Sequence, residues 1–522
     1  MAGYGRASAV ALLGLSGVMV QAEAVVTAGL SRFSLIGLPD TGLSESRDRV
    51  RAAVINSSIS WPQTSLTVSL APASIRKQGS GFDLAIAIAV LRADGKVRPA
   101  GLSETVFIGE LGLDGSLRPV RGVLPSVLAA LRAGYEKVCV AEDNLIEAEQ
   151  VTGISSIGVR TLRQAVAYAN GEPIPDEPSA PVPRAVSVPL SSPDAPDMAD
   201  VLGQFEARLA LEVSATGGHH LFLCGAPGSG KTMLAERLPG LLPPLDERAA
   251  LEVTAVHSLT GTLHPANPLV TEPPFCAVHH SATVPALVGG GSAVIRPGAV
   301  SRAHRGVLFL DEAPEFGRVA LDSLREPIES REVVIARSAG VATFPADFLL
   351  VAAANPCPCG LAMSAHGACT CSSRSRSAYL GRISGPLLDR IDLRVDVSPV
   401  GSAELLSAAV GGLASESTAQ VADRVRQARE RAGRRLADTP WRLNAQVPAR
   451  FLRAHWPLGS NSLEGAEQAL ESGVLTARGL DRVLRVGWTL ADLAGRDRPG
   501  RTEIDTALSF RLSTTFNSGV LA

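Results

Sequence analysis

The stretch HLFLCGAPGSGKTMLAERL, residues 220–238, constrains the fold more than any other part of the chain. It begins as an apolar strand, passes through a glycine-rich loop and continues as a helix. Gly225, Gly228 and Gly230 let the backbone curl until its N–H groups point inward, which is the arrangement that binds phosphate groups. A strand, this loop and a helix in succession predict a P-loop α/β domain.

Two polar side chains complete the predicted phosphate loop. Lys231 is placed to reach the β- and γ-phosphates of a nucleotide, and Thr232 offers a hydroxyl to Mg²⁺. The alternative, a plain glycine turn, does not need the strand before the loop or the helix after it. We therefore predict ATP and Mg²⁺ as cofactors. The residues assigned to nucleotide binding are Gly225, Ala226, Pro227, Gly228, Ser229, Gly230, Lys231 and Thr232.

Two later strands end in polar side chains of the kind that ATP hydrolysis requires. The segment GVLFLDEAPEF ends its apolar strand at Asp311, which fits a role in holding Mg²⁺, and Glu312, placed to polarise a water for attack on the γ-phosphate. An acidic pair at a strand end also suits a helix N-cap, which is the alternative. The segment DFLLVAAANP reaches Asn355, whose amide is suited to hold the attacking water.

Length and composition limit the classes of protein this chain can belong to. At 522 residues, 46% hydrophobic and 19% charged, it is expected to fold into two to four domains. Its net charge of −2 excludes a protein that coats nucleic acid by bulk electrostatics, so any such contact must use a local patch. No apolar run reaches about 18–20 residues, so no membrane span is expected.

The N-terminal segment resembles a secretory signal, because an apolar run follows Arg6. Gly14, Ser16 and Gly17 interrupt that run, and the pattern continues as strands and a turn. We therefore expect no export and a cytoplasmic protein.

The pattern of the chain divides it into four parts. Residues 1–170 alternate strand-like and helical runs, which predicts an α/β domain, and residues 171–196 are a proline-rich linker. Residues 197–400 hold a second α/β pattern with the phosphate loop. Residues 401–522 are helical throughout.

Several long segments together resemble the AAA+ ATPases of the magnesium-chelatase-like class, and more specifically the YifB/ComM family. The resemblance rests on GLPDTGLSESRDRVRAAVINS, GHHLFLCGAPGSGKTMLAERLPGLLPPL, PFCAVHHSATVPALVGGG, RPGAVSRAHRGVLFLDEAPEF, NPCPCG and RISGPLLDRIDLRVDV, and it covers nearly the whole chain. It implies an AAA+ ATPase domain followed by a helical lid. One departure is Cys276-Ala277-Val278, where the family usually has Arg-Ala-Pro, so any role of that arginine is in doubt.

The resemblance also implies roles for three further residues. Asn355 matches the sensor-1 position, Arg390 in LLDRID looks like the arginine finger, and Arg478 in LTARGLDRVL looks like sensor 2. An arginine finger reaches the γ-phosphate of the neighbouring subunit, which implies a closed homo-oligomeric ring, expected to be a hexamer. The alternative for Arg390 is a salt bridge within the chain.

The N-terminal domain is similar to the Lon-protease fold, as shown by KQGSGFDLAIAIAVLRA and GELGLDGSLRPVRGVLPSVLAALRAGYEKVCVAED. A Lon-type protease needs a serine nucleophile and a lysine base. Here the serine position falls on Gly81, with Ser80 one residue away, and the lysine position falls within GVLPSV, which has no lysine. The comparison implies a docking or ring-forming module and no protease activity.

Four of the seven cysteines lie within fifteen residues, at Cys357, Cys359, Cys369 and Cys371. Two close pairs separated by a glycine-containing loop can offer four thiolates to Zn²⁺. His366 competes as a ligand, and free buried thiols are the alternative without metal. We predict a zinc-pinned insertion directly after sensor 1.

The segment SREVVIARSAGVATFPADF reads as two alternating strands that meet at a turn near residues 337–340, which predicts a β-hairpin. It resembles the hairpin that minichromosome-maintenance helicases insert into their central pore, with Arg337 at the tip as the DNA contact. The alternatives are that Arg337 is a solvated turn residue and that DNA is gripped by Arg374 and Arg376.

The family resemblance implies a ring helicase that promotes branch migration of single-stranded or branched DNA during DNA uptake or recombination. Aromatic residues make up only 4% of the chain, which favours tracking of the DNA backbone over base stacking. The alternatives are the motor subunit of a magnesium-chelatase-like metal insertase and a protein-remodelling ATPase. Chelatase motors generally lack the Lon-like domain and the cysteine cluster, which favours the helicase.

Overall fold

The computed structural model describes most of the chain. The described residues are 3–37, 41–75, 77, 79–98, 104–176, 196–291, 295–337, 340–363, 369–401 and 415–512. Most of the predicted linker (177–195), His366 and the two residues at the turn of the predicted hairpin (338–339) lie outside them.

The N-terminal part is built on a mixed seven-stranded sheet. Its described strands, with the two-stranded β6–β7 ribbon, are β1 (Gly3–Leu13), β2 (Ser16–Thr27), β3 (Arg32–Ile36), β4 (Ser65–Ala71), β5 (Thr105–Ile108), β6 (Glu110–Leu111), β7 (Leu117–Arg118), β8 (Lys137–Ala141) and β9 (Ser155–Val159). The order in the large sheet is β3-β4-β2-β1-β5-β8-β9. The strands β1, β2 and β4 pair antiparallel, and β5, β8 and β9 continue the sheet in parallel.

The apolar N-terminal stretch forms a β-hairpin, as its strand-like pattern predicts. All of β1 pairs with β2, and the turn between them contains Gly14 with a φ of +65°. That backbone conformation favours glycine, because it has no Cβ to clash. Of the residues that broke the apolar run, Gly14 therefore lies in the turn, and Ser16 and Gly17 begin β2.

Helices cover both faces of this sheet. They are α1 (Thr41–Asn56), α2 (Asp83–Ala93), α3 (Val123–Arg132), α4 (Leu145–Ala148) and α5 (Leu162–Ala169). The helix α2 packs against β1 and β2, and ten of its eleven residues are buried, as its almost continuous apolar sequence requires. The helix α3 packs on the other face and also contacts the second α/β part of the chain.

The second part is built on a five-stranded, fully parallel sheet. Its strands and the small pairs beside it are β10 (Leu221–Gly225), β11 (Phe275–Val278), β12 (Gly289–Gly290), β13 (Arg296–Pro297), β14 (Val307–Leu310), β15 (Glu332–Arg337), β16 (Gly340–Pro345), β17 (Leu349–Ala354) and β18 (Leu393–Val397). The order is β11-β14-β17-β10-β18. The three motif-bearing strands β10, β14 and β17 are neighbours, so the residues that follow them meet at one edge.

The helices around this sheet are mostly short connections. They are α6 (Phe205–Gly217), α7 (Lys231–Leu241), α8 (Glu247–Thr260), α9 (Val284–Val288), α10 (Ala299–Arg302), α11 (Arg318–Asp322), α12 (Arg325–Ser330), α13 (Ser373–Leu380) and α14 (Gly385–Leu388). The α3 and α8 helices join the two α/β parts. At that contact Ser258 on α8 donates a 2.5 Å hydrogen bond to the buried carboxylate of Glu147.

The C-terminal part is helical, as predicted. Its described helices are α15 (Thr418–Leu436), α16 (Ala449–His455), α17 (Ser460–Glu471), α18 (Ala477–Leu493) and α19 (Arg501–Arg511). Apolar faces of these helices share one core with the parallel sheet, including Val425, Trp488 and Phe510. The mixed α/β architecture with a helical C-terminal part therefore agrees with the predicted fold class. None of the helices in the described ranges is both long and apolar enough to span a bilayer.

Candidate active site

The phosphate loop lies between β10 and α7, at the carboxyl edge of the parallel sheet. Gly228 and Gly230 have φ values of +77° and +89°, which explains why glycine occupies both positions. A Cβ on Gly225 would lie 2.4 Å from the carbonyl oxygen of Val397, so the third glycine permits close packing. The loop therefore has the open backbone that phosphate binding needs.

Lys231 is buried at the start of α7 and points back into the loop. Its Nζ donates to the carbonyl oxygens of Gly225 at 2.8 Å and Ala226 at 3.0 Å, and to Oδ1 of Asn355 at 3.3 Å. Burial lowers the pKa of the Lys231 ammonium. The structure thus brings the loop lysine together with Asn355, the predicted sensor-1 residue.

Thr232 and Asp311 form the second contact at this edge. The Thr232 hydroxyl donates to Oδ2 of Asp311 at 3.1 Å, and Oδ1 of the same carboxylate accepts from the backbone N–H of Glu312 at 2.9 Å. A hydroxyl and a carboxylate are the oxygen ligands that Mg²⁺ prefers, and here they are adjacent.

Glu312 has a left-handed backbone with a φ of +50°, and its side chain is half exposed. It makes no side-chain cap to the helical turn that follows, which argues against the N-cap interpretation. His280 lies with its Nδ1 3.1 Å from Oε2 of Glu312, and its ring is 4.1 Å from that of His279. His280 has no role among the predictions from sequence. The available signal was its position two residues after β11, the strand beside β14.

A second residue missed from sequence is Gln204. Its Nε2 donates to the carbonyl oxygens of Ser229 at 2.7 Å and Ser398 at 3.0 Å, so it joins the phosphate loop to the end of β18. It lies in a loop with a left-handed backbone, far from the motif in sequence.

Arg390 lies at the opposite edge of the sheet. It precedes β18, whose residue Leu393 pairs with Leu221 at the start of β10. The length of β10, about 13 Å, therefore separates Arg390 from the phosphate loop of its own chain. In the single chain Arg390 forms an ion pair with Glu329, as the intrachain alternative anticipated.

Arg478 is also not brought to the phosphate loop. It is exposed near the start of α18 and makes no ion pair or hydrogen bond with any residue in the described ranges. It lies one and two turns before Arg482 and Arg485 on the same helix face. Those two arginines line an open cavity of about 450 Å³ that also contains Arg390.

The four cysteines converge as predicted. The Sγ atom of Cys357 lies 3.3 Å from that of Cys359 and 3.7 Å from that of Cys369, and all four Sγ atoms lie within 4.8 Å of one another. No disulfide links them. Burial raises the pKa of Cys357 to about 11, while a hydrogen bond from the backbone N–H of Leu361 lowers that of Cys359 to about 6.

The cysteine cluster also contacts the phosphate loop. Gly360, with a φ of +78°, packs so tightly on Pro227 that a Cβ would lie 2.6 Å from the proline ring. Asn355 follows β17 directly, and Cys357 is two residues further along the chain. The cluster therefore lies next to the phosphate loop.

The predicted hairpin is present as β15 and β16, with Arg337 opposite Gly340. Val333, Ile335 and Phe344 on one face are buried in the core of the second α/β part. Arg337 is exposed at the end of β15, and its guanidinium donates only to the carbonyl of Ala336 among the described residues. Arg374 and Arg376 are exposed on α13, beside the cysteine cluster.

The N-terminal domain lacks a serine–lysine dyad among its described residues. A Cβ on Gly81 would meet no atom within 4 Å, Ser80 donates to the carboxylate of Glu110, and the buried Lys77 donates to the carbonyl of Pro72. This arrangement is in line with the prediction that the domain does not cleave peptides, which stays a prediction.

Comparison with known proteins gives matches over almost the whole chain. The chain is 52% identical to an uncharacterized protein of Mycobacterium tuberculosis over 97% of this chain and 98% of the relative. It is 40% identical to the uncharacterized protein YifB of Escherichia coli over 96% of both chains. It is 38% identical to the competence protein ComM of Haemophilus influenzae over 97% of this chain and 96% of the relative.

Three family models also match, and all describe magnesium chelatase. They are the magnesium chelatase subunit ChlI over residues 197–405, subunit ChlI of Mg-chelatase over 22–144, and the ChlI C-terminal region over 415–511. Partial matches join the magnesium-chelatase 38 kDa subunit of Rhodobacter capsulatus, 29% identical over 30% of this chain and 49% of the relative, and Lon protease 2 of Bacillus subtilis, 30% identical over 29% of each. The match to a Lon protease supports a Lon-like domain.

Proposed function

Because the chain belongs to the YifB/ComM family of magnesium-chelatase-like proteins, we propose that it couples ATP hydrolysis to translocation along DNA. The observation that carries the proposal is an arrangement of elements. Lys231, Asp311, Glu312 and Asn355 converge at one edge of the sheet, and a hairpin with an exposed arginine is inserted between the two strands that bear the last three. The residues proposed to hydrolyse ATP and the candidate DNA contact are therefore joined by short, continuous stretches of the chain.

In the hydrolysis step, Lys231 would exchange its contacts to loop carbonyls for the β- and γ-phosphates of ATP. Glu312 would accept a proton from the attacking water, and Asn355 would orient that water. His280 lies beside this carboxylate, with its Nδ1 3.1 Å from Oε2 of Glu312.

Thr232 and Asp311 are the residues that would hold Mg²⁺, and their adjacent oxygens fit an ion that accepts hydroxyl and carboxylate ligands. When bound, the ion neutralises charge that develops on the β- and γ-phosphates.

Arg390 would act on the nucleotide of a neighbouring copy. Its place at the amino edge supports this, since it cannot reach the phosphate loop of its own chain. Arg478 is exposed on α18, the helix whose Arg482 and Arg485 line the cavity that also contains Arg390. We therefore assign Arg478 to the side of the subunit on which Arg390 lies. A residue that completes a neighbour's site implies a closed ring, which we propose is a hexamer.

Zn²⁺ is the metal that best fits the cysteine cluster. A tetrahedral ZnS₄ site with Zn–S distances of about 2.3 Å has sulfur atoms about 3.8 Å apart. The Sγ atoms of Cys357, Cys359 and Cys369 are 3.3–3.7 Å apart, and all four lie within 4.8 Å of one another. The metal would supply structural cross-linking of the loop, with no part in the hydrolysis.

The proposed pathway is branch migration during DNA uptake or recombination. One relative that matches over nearly its full length is named a competence protein, and competence is the uptake of DNA. Three magnesium-chelatase family models cover most of this chain, so the metal-insertase alternative is kept. It ranks second because the magnesium-chelatase 38 kDa subunit itself matches only 30% of this chain at 29% identity, whereas ComM matches 97% at 38%. A protein-remodelling ATPase remains the other candidate that the same motor would suit.

The DNA contact is tested by replacing Arg337 with Ala, with Arg434→Ala, on an exposed lid position, as the matched control. The Arg337→Ala protein should keep its basal ATPase activity and ring assembly but lose strand displacement. Its affinity for single-stranded DNA should depend less steeply on salt, by about 0.7 in the log–log slope for each lost phosphate contact. If Arg337→Ala displaces strands as fast as the Arg434→Ala control, the DNA contact would be reassigned to Arg374 and Arg376.

A further inference from the structure

The ion pair between Arg390 and Glu329 has an unusual environment. Arg390 is 17% exposed and Glu329 is 65% exposed, so the arginine is held inside the cavity by a carboxylate at its rim. The Nη1 of Arg390 donates to the carbonyl of Pro386 at 2.6 Å, while its Nε–H is buried without a partner among the described residues. The guanidinium therefore retains one unused donor that is shielded from solvent.

The other carboxylates that line this cavity have partners of their own. Asp392 accepts from Arg482 at 2.7 Å, and Asp347 accepts from Arg305 at 3.0 Å. Asp246 accepts from the backbone N–H at the start of α8. Among the described carboxylates that line the cavity, Glu329 is therefore the one that pairs with Arg390.

Glu329 is also mechanically connected to the hairpin. It lies on α12, which ends at Ser330, directly before β15. The Ser330 hydroxyl donates to the carbonyl of Glu332 at 2.8 Å, which ties the helix to the first strand. The N–H of Ala346, after the second strand, donates to the carbonyl of Arg331 at 2.8 Å. The base of the hairpin is thus tied to the end of α12 at both of its strands.

We propose that Glu329 is a positioning residue that holds the arginine finger in the resting subunit and releases it to the neighbour's nucleotide. The inference rests on the proposed roles of Arg390 and the hairpin. A triphosphate carries more charge than one carboxylate and accepts the same forked hydrogen bonds, so it would displace Glu329 from Arg390. Release of Glu329 frees α12, and the hairpin moves only when the neighbour holds ATP.

The direct test is Glu329→Gln, which removes the charge and keeps the shape of the side chain. With Arg390 no longer held, ATP hydrolysis without DNA should rise about two- to five-fold, the range that a partly exposed ion pair supports. Stimulation of the ATPase rate by DNA should fall by a similar factor, because Arg390 is no longer linked through Glu329 to the hairpin. The matched control is Glu326→Gln on the same helix, whose exposed carboxylate does not contact Arg390, and it should behave as the wild type.

A second comparison separates positioning from a general effect on folding. In an Arg390→Ala background, adding Glu329→Gln should leave the rate unchanged, because there is no finger left to release. A purely structural Glu329 would instead change the rate in both backgrounds. Equal basal rates and equal DNA stimulation in Glu329→Gln and Glu326→Gln would overturn the inference alone. Wild-type turnover by Arg390→Ala would overturn the proposed finger itself.

Discussion

The buried carboxylate of Asp392 connects the helical lid to the ATPase sheet, and its removal gives a quantitative prediction. Asp392 is 2% exposed at the amino edge of β18. It accepts a hydrogen bond from Nδ1 of His219 at 2.9 Å and one from Nη1 of Arg482, on the lid helix α18, at 2.7 Å. Burial by itself raises the pKa of this carboxyl, but the charge of Arg482 and the hydrogen bond from His219 outweigh it and hold the pKa well below its usual range.

Asp392→Asn keeps the size of the side chain but removes its charge. Breaking a buried ion pair by removing one partner costs about 3–5 kcal/mol. Because Arg482 is 23% exposed and keeps some contact with water, we expect a loss near the lower end, about 3 kcal/mol. The surface pair between Asp481 and Arg453 lies nearby, so Asp481→Asn is the matched control, with an expected cost below about 1 kcal/mol.

Urea-induced unfolding followed by tryptophan fluorescence measures this difference. Three of the chain's four tryptophans, Trp441, Trp456 and Trp488, lie in the helical part. Asp392→Asn should lower the midpoint of their transition without changing its slope. Because the folded-state pKa of Asp392 is depressed, its stabilisation is present above about pH 4 and is lost as the pH falls further. The gap between wild type and Asp392→Asn should therefore be constant from about pH 5 to 8 and narrow in stronger acid. A midpoint equal to that of Asp481→Asn at pH 7 would refute the reasoning.

Three further predictions concern the sites. Lys231→Ala should abolish ATP binding or hydrolysis, since the phosphates lose their direct charge partner. Glu312→Gln should bind ATP but hydrolyse it about 10²–10⁴-fold more slowly. Wild-type turnover by Glu312→Gln would contradict the role of Glu312 as the base. Protein purified under reducing conditions without chelators should carry about one Zn²⁺ per chain, and replacing Cys357 and Cys359 with Ser should release it; elemental analysis that finds no metal would end the zinc proposal. The protein should not degrade casein in the presence of ATP, because Gly81 has no nucleophile, and peptide release that persists in purified Lys231→Ala protein would show otherwise.

Local patterns predicted most of the fold and the parts of the site that are close in sequence. The phosphate loop, the acidic strand end and the hairpin each consist of consecutive residues whose spacing reflects their own backbone geometry. Lys231 and Asn355 are 124 residues apart, yet both follow strands of one parallel sheet, and the order of those strands places them within hydrogen-bond distance.

Contacts that depend on how separate loops pack could not be predicted. No role follows from the sequence for His280, Gln204 or Glu329, although His280 lies in one of the family segments. The side chain of each contacts a residue that is distant in sequence. The contact between Gly360 and Pro227 was equally hidden, because the cysteine spacing predicts a metal site but not what the site packs against. The edge of the sheet on which Arg390 lies became evident only from the strand register.

The central claim is that ATP hydrolysis by this chain is coupled to DNA, and the ATPase rate of the full chain tests it most directly. The rate should be measured without DNA, with single-stranded DNA and with a branched duplex, and Lys231→Ala should serve as the blank. Hydrolysis should be faster with DNA, and the increase should disappear in Arg337→Ala. A rate that depends on Lys231 but is the same with and without each DNA would contradict the account.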